Sequence, residues 1–170
     1  MTAAGVCVRR ASEADAGAIA AIYAEGIAGR GATFVTEPPM PETVAAWIRQ
    51  RGPFLVAERD GGVVGWAALS EYSDVPAYRG VGEFAIYVAS RARRAGVGRA
   101  LLDALCETAE REGRHKVVGK IFPGNEGSMA LCRACGFRLV GVHRRHGRLE
   151  GRWRDVAVLE RLLGPAAGAP

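Results

Sequence analysis

"EFAIYVASRARRAGVGRALLDAL", residues 83–105, holds the transition on which the fold turns. Its opening, "EFAIYVA", alternates in polarity and reads as a strand. From Gly96 to Glu112 the apolar set is Val97, Ala100, Leu101, Ala104, Leu105 and Thr108. That is the i, i+3, i+4, i+7 spacing of an amphipathic helix. Arg99, Asp103, Glu107 and Glu110 take the opposite side, and Gly113 follows as a C-terminal stop. Between strand and helix lies Arg93-x-x-Gly96-x-Gly98.

A glycine turn opening a helix is an anion site in principle. The first helical N–H groups have no intrahelical acceptor, and the helix dipole is positive there. Glycine lets a phosphate approach the backbone, and Arg93 and Arg94 add charge beside it. Two familiar phosphate motifs fail on named residues. Gly98 is followed by Arg99 and Ala100, so the hydroxyl that a P-loop gives to magnesium is missing. Leu101 stands where a dinucleotide fingerprint needs a third small residue. A pyrophosphate held by backbone N–H groups remains, beside the plainer reading of a tightened turn with solvated arginines.

Working outward, "VCVRRA" reads as a short strand and Ser12 as an N-cap, before a helix carrying Ile19, Ile22, Tyr23 and Ile27. Pro41 starts a second helix with Val44, Trp47 and Ile48 on one face. Asp60-Gly61 joins two apolar runs as a hairpin. "HKVVGKIF" is a further strand, and "NEGSMALCRACG" is a short helix stopped by Gly136. "FRLVGVHRRHGRLEGRWRDVAVLERLL" forms a closing hairpin. The order β-α-α-β-β-β-α-β-α-β-β gives a mixed α/β (α+β type) protein, a seven-stranded, mostly antiparallel sheet with four helices. Residues 1–164 form one domain and 165–170 a flexible tail.

The chain has 170 residues, 49% hydrophobic and 24% charged, as in a folded single domain with a workable core. Apolar runs are too short to span a membrane. The N-terminal stretch lacks a basic region followed by an apolar one, so no signal peptide is expected. Cys7, Cys106, Cys132 and Cys135 are not spaced as a disulfide framework, and a reducing cytoplasm is the expected compartment. Cys132-x-x-Cys135 lies at a helix end, where the dipole disfavours a thiolate, and nothing completes a zinc set. No metal is expected, and His143 and His146 read as surface residues. The net charge of +5 suits a polyanionic ligand. In "HRRHGRLEGRWRD" only Trp153 interleaves, and Glu150 and Asp155 break the run, so no nucleic-acid partner is expected.

Three stretches together resemble the GCN5-related N-acetyltransferase (GNAT) family: "EFAIYVASRARRAGVGRALLDAL", "NEGSMALCRACGF" and "GRWRDVAVLE". With "IYAEGIAGRGATFVTEPP" they are similar to its phosphinothricin, methionine-sulfoximine and arsinothricin acetyltransferase branch. The resemblance spans nearly the whole chain. It implies the GNAT fold, acetyl-CoA as cosubstrate, a primary amine of a small amino acid or analogue as acceptor, a detoxifying role, and a homodimer. An acetyltransferase for peptide or protein amines, and a CoA-binding module with little turnover, remain alternatives.

Carried over by residue, the resemblance has Arg93, Arg94, Ala95, Gly96, Val97, Gly98, Arg99, Ala100 and Leu101 wrap the pyrophosphate. Ile86, Tyr87 and Val88 pair their backbone with the pantetheine arm, and Asn125 and Ser128 flank it. A glutamate at the matching place is the branch's general base, which gives Glu83 that role, since transfer needs a neutral amine; the plainer reading is an exposed glutamate at a strand start. Cys132 stands where the family has Tyr or His as proton donor to the leaving thiolate. A thiol donates weakly, so a tyrosine or water in its place stays open. The loop "SEYSDVPAYRG" borders the acceptor, with Tyr72, Tyr78 and Arg79 as candidate contacts, and Phe34 and Glu37 line the pocket from the early loop. Related enzymes carry a Trp-Arg pair where this chain has Tyr72-Ser73. Arg79 is either the replacement anion grip or a solvated loop charge.

Overall fold

A computed structural model describes residues 5–50 and 52–168. The element order is β1 (Cys7–Arg10), α1 (Ala16–Ala28), α2 (Pro41–Gln50), β2 (Phe54–Arg59), β3 (Gly62–Glu71), β4 (Val81–Val88), α3 (Val97–Arg111), β5 (Lys116–Ile121), α4 (Glu126–Ala134), β6 (Arg138–Leu149) and β7 (Arg152–Leu162). This is the order expected from the sequence. The seven strands form one sheet in the order β1-β2-β3-β4-β5-β7-β6. Neighbours are antiparallel except β4 and β5, which run parallel because α3 crosses between them.

Helices cover both faces. On one, Leu101, Leu102 and Leu105 of α3 and Met129 of α4 pack on Leu55, Leu69, Phe84 and Leu159. On the other, Ile19, Ile22 and Tyr23 of α1 and Val44 of α2 pack on Phe54, Val56 and Trp66. Strand β2 contributes to both cores, so Phe54, Leu55, Val56 and Ala57 are all buried and the run shows no alternation. Alternation along β4 sends Phe84 to the α3 side, over Gly119, where a Cβ would lie 2.4 Å from the ring. It sends Tyr87 to the α1 side.

Local rules account for the joints. Asp60 (φ 52°) and Gly61 (φ 77°) make the left-handed turn of the β2–β3 hairpin. Ser12 caps the single 3-10 turn Glu13–Asp15 ahead of α1, its backbone N–H donating to Asp15 Oδ2 at 2.7 Å. Arg9 then clamps Asp15 through two bonds of 2.8 Å, tying β1 to the helix start. Gly164–Gly168 form a 3-10 helix that joins the end of the expected domain to the start of the expected tail, and residues 169–170 lie outside the described residues.

Candidate functional site

The parallel pair is short. Val81, Gly82 and Glu83 of β4 lie opposite Lys116, Val117 and Val118 of β5, and there the register ends. Strand β4 runs on to Val88 bonded only to β3, while β5 follows β7. The sheet therefore forks at Glu83. Beyond it, one edge of β4 carries backbone groups with no strand partner among the described residues. Unpaired strand edges accept an extended ligand as an added strand.

A cleft of about 1060 Å³ opens from this fork toward the N-terminus of α3. Ile86, Tyr87 and Val88 line it from β4, and Asn125, Ser128 and Leu131 from α4. At its far end the turn supplies Arg93, Arg94, Gly96, Gly98 and Arg99. Gly96 has φ 78° and Arg94 φ 61°, so the chain doubles back just before α3. Gly96 caps α3 without any side-chain acceptor, leaving the first N–H groups of the helix for a ligand.

Four of the nine residues expected around a pyrophosphate act otherwise through their side chains. Val97 and Leu101 are fully buried in the core, and Ala95 and Ala100 pack against it. The backbone N–H groups of Ala95 and Val97 are left for a ligand, whereas the Ala100 N–H donates to the Gly96 carbonyl at 3.0 Å and Leu101 follows it inside the helix. Gly98 has a second reason to lack a side chain, because a Cβ there would lie 3.2 Å from Leu131 Cδ2. Asn125 is committed to structure at both ends. Its Oδ1 accepts from Ser128 N–H, capping α4, and its Nδ2 donates to the Gly31 carbonyl, holding the loop after α1.

Against the cleft lies a chamber of about 420 Å³. The two share Ile86, Tyr87, Phe122, Asn125, Ser128 and Leu131, so they form one continuous site bent at the fork. Tyr23, Phe34, Glu83, Lys120, Cys132 and His146 complete the chamber. Phe34 meets Phe122 edge-on, centroids 4.9 Å apart, and closes over Gly147, where a Cβ would be 2.6 Å from its ring. Glu83 sits at the fork with Lys120 Nζ 2.8 Å from Oε2.

Cys132 is buried, and burial pushes its thiol up to about 12. It faces the chamber protonated, as a weak donor and not as a nucleophile. Burial also pushes the Tyr87 phenol above its usual range, with Tyr23 at 4.7 Å adding to the shift. Tyr87 is thus a protonated hydroxyl-bearing ring that lines both cavities.

The other expected acceptor contacts stand outside the chamber lining. Tyr72 and Tyr78 pack edge-to-face at 6.2 Å on the surface, Tyr72 lying 5.7 Å from Lys120 Nζ. Arg79 is exposed and offers its carbonyl to Arg114 Nη1 at 2.6 Å. Glu37 is also exposed.

Sequence reasoning did not single out Lys120, His146, Tyr23 or Phe122 as site residues. Lys120 was findable in part, since it shares strand parity with Val118, the partner of Glu83. His146 was not. It lies in a bulge where Arg144, Arg145 and His146 oppose Asp155 alone, between the pairs His143↔Val156 and Gly147↔Arg154. Asp155 Oδ1 accepts from Arg145 N–H at 2.7 Å and fixes the bulge. Such a bulge re-aims side chains without a periodic trace in the sequence.

A sheet forked at its parallel pair, with a helix N-terminus at one end and a carboxylate at the fork, offers an extended anionic ligand a seat and a proton acceptor beside it. The chain belongs to the Acetyltransferase (GNAT) family, whose model matches residues 25–137. It is 34% identical over 168 residues to the L-methionine sulfoximine/L-methionine sulfone acetyltransferase of Pseudomonas aeruginosa, covering 96% of this chain and 98% of that one. It is 36% identical to the phosphinothricin N-acetyltransferase of Alcaligenes faecalis, covering 92% of this chain and 82% of that one. A phosphinothricin acetyltransferase from Sinorhizobium meliloti, solved in complex with acetyl-CoA, superimposes with a TM-score of 0.90 at 32% identity, over 98% of this chain and 92% of that one.

Proposed function

We propose that this protein moves an acetyl group from acetyl-CoA to the primary amine of a small amino acid or amino-acid analogue, of the methionine sulfoximine, phosphinothricin or arsinothricin type, in a detoxifying role. One observation carries the reading: a long cleft and a small aromatic-walled chamber meet at the fork, with Glu83 at the junction. The long cleft has the anion-binding turn that a diphosphate needs, and the unpaired β4 edge suits the amide groups of a pantetheine arm. The chamber's modest volume of about 420 Å³ suits a small acceptor better than a peptide. The named substrates of the relatives are acceptors of that size.

In this reading the backbone N–H groups from Arg94 to Arg99 hold the diphosphate, those of Arg93 and Ala100 being bonded to the Ser90 and Gly96 carbonyls, and the guanidinium groups of Arg93, Arg94 and Arg99 add charge. Ile86 to Val88 align the arm, and the capped start of α4 at Asn125 and Ser128 walls it near the sulfur. Glu83 takes a proton from the acceptor's ammonium, directly or through water. The freed lone pair attacks the acetyl carbonyl carbon, the C–N bond forms, and the C–S bond breaks. The departing sulfur takes up the second proton, which the nitrogen sheds as the amide forms, and the protonated Cys132 thiol steadies it with a hydrogen bond. Phe34 covers the acceptor. Tyr72, Tyr78, Arg79 and Glu37 stand outside the chamber lining.

The edge strand β6 exposes Leu139, Val140 and Val142, an apolar stripe that a second copy of the chain covers in the proposed homodimer. Four unpaired cysteines suit a reducing compartment, and the cytoplasm is the proposed one.

The test is a thiol-release assay with acetyl-CoA against L-amino acids and their sulfone, sulfoximine, phosphinic and arsinic analogues. Turnover with at least one is expected, and Glu83→Gln should lower kcat about 10²- to 10⁴-fold while leaving acetyl-CoA affinity unchanged. Full turnover in Glu83→Gln at all pH values removes Glu83 from the mechanism.

A further inference from the structure

The acceptor chamber contains one carboxylate, Glu83, and two basic side chains, Lys120 and His146. Arg79, the arginine a sequence reading would assign to an acidic acceptor, is not among its walls. Lys120 Nζ lies 2.8 Å from Glu83 Oε2, with 42% of the lysine side chain and 27% of the glutamate exposed. The sheet sets this pair. Glu83 opposes Val118, and Lys120 projects two residues further on the same face, where the strands have parted. Its long side chain reaches back across the fork. The pair thus presents an anion and a cation side by side at the junction of chamber and cleft.

An α-amino acid is the electrostatic complement of that arrangement, because its ammonium and carboxylate are carried on a single carbon. We propose that Lys120 anchors the acceptor's α-carboxylate, the zwitterion inserting into the Glu83–Lys120 ion pair. The inference rests on the amine-acetylating reading above. The acceptor carboxylate accepts from Lys120, and its ammonium donates to Glu83. One ion pair is exchanged for two, so no charge is left uncompensated in the chamber. The Tyr72 ring, 5.7 Å from Nζ, steadies the ammonium as it swings away from Glu83. Insertion also gives Glu83 its proton: the acceptor N–H donor replaces Lys120 at the carboxylate, the proton transfers there, and the amine attacks the thioester as described. His146 enters from the opposite hairpin with its ring stacked on His143 at 4.6 Å, and does not touch this pair.

The experiment compares L-methionine sulfone with its decarboxylated amine, 3-(methylsulfonyl)propan-1-amine, as acceptors. Wild type should prefer the amino acid by about 10- to 100-fold in kcat/KM, the span of a charge-assisted hydrogen bond. Lys120→Met should raise KM for the amino acid by that factor and leave KM for the amine unchanged, abolishing the preference. Lys120→Arg should restore part of it. Acetyl-CoA affinity, measured alongside, should not change in either variant. A wild type that acetylates both equally well overturns the anchor and leaves the acetyltransferase reading standing. So does Lys120→Met slowing both acceptors equally, since the lysine would then act only on Glu83. Where another amino acid of the panel above is the better acceptor, the same comparison is made with that compound and its decarboxylated amine, and a wild type that acetylates no member of the panel overturns both readings. The wild-type comparison needs no variant, so poor folding of Lys120→Met does not spare the proposal.

Discussion

Replacing Gly98 with valine separates the two reasons this position carries no side chain. Gly98 lies in the first turn of α3 and lines the long cleft. A Cβ there would be 3.2 Å from Leu131 Cδ2, 3.7 Å from Leu131 Cδ1 and 3.8 Å from Val88 Cγ2. Those neighbours are the ends of flexible side chains, so alanine requires Leu131 to yield by a few tenths of an ångström. The higher helix propensity of alanine, up to about 1 kcal/mol over glycine, offsets that shift. Valine adds two γ-carbons. Overpacking of this kind costs about 1–3 kcal/mol, or roughly 2–12 °C in Tm for a chain of this size. Leu131 lines both cavities, so its displacement narrows the site as well. If the α3 amides hold a diphosphate, losing close approach to one of them costs about 1.5–3 kcal/mol, a 10- to 150-fold rise in Kd. Calorimetric titration of acetyl-CoA into wild type, Gly98→Ala and Gly98→Val, with thermal melts of each, reads both terms. Gly98→Ala should bind within about threefold of wild type, and Gly98→Val at least tenfold more weakly. A folded Gly98→Val with wild-type affinity would refute the placement of the diphosphate at this turn.

Two further outcomes are expected. Cys106, Cys132 and Cys135 are buried, with thiols pushed up to about 11, 12 and 12, whereas Cys7 is exposed. A colorimetric thiol titration of the native protein should release one equivalent quickly and four after denaturation; rapid release of more than one would contradict the burial. Asp15 is held at about 2, below its usual 3.8, chiefly by hydrogen bonds from Arg9. The lowered value means that its contribution is present above about pH 4 and lost as pH falls toward 2. With Arg9 partly solvated, that contribution is about 1 kcal/mol. Asp15→Asn should therefore lower stability at pH 7 by about that amount in urea melts, and the difference from wild type should shrink on acidification.

Much of the architecture was legible because it is written in local terms. The Asp60-Gly61 turn, Pro41 at the start of α2, the glycines closing α3 and α4, and the helical spacing from Val97 to Thr108 depend on residues a few positions apart. So did the anion turn, since Arg93, Gly96 and Gly98 share one joint. Even the role of Gly98 was only half visible, because Leu131, thirty-odd residues away, is the other reason for it.

The acceptor side was another matter. The fork at Glu83 exists because a parallel pair three residues long gives out, and no residue near Glu83 announces where β5 will leave it. Lys120 meets Glu83 across that gap, His146 reaches the chamber through a bulge, and Phe34 arrives from a loop a hundred residues before the glycine it covers. The sequence alone determined the elements, their order and the glycine turn ahead of α3, since backbone preference and hydrophobic period are short-range properties. Which side chains share the chamber was decided only in the folded molecule, where strand divergence and bulges set distances that carry no period along the chain.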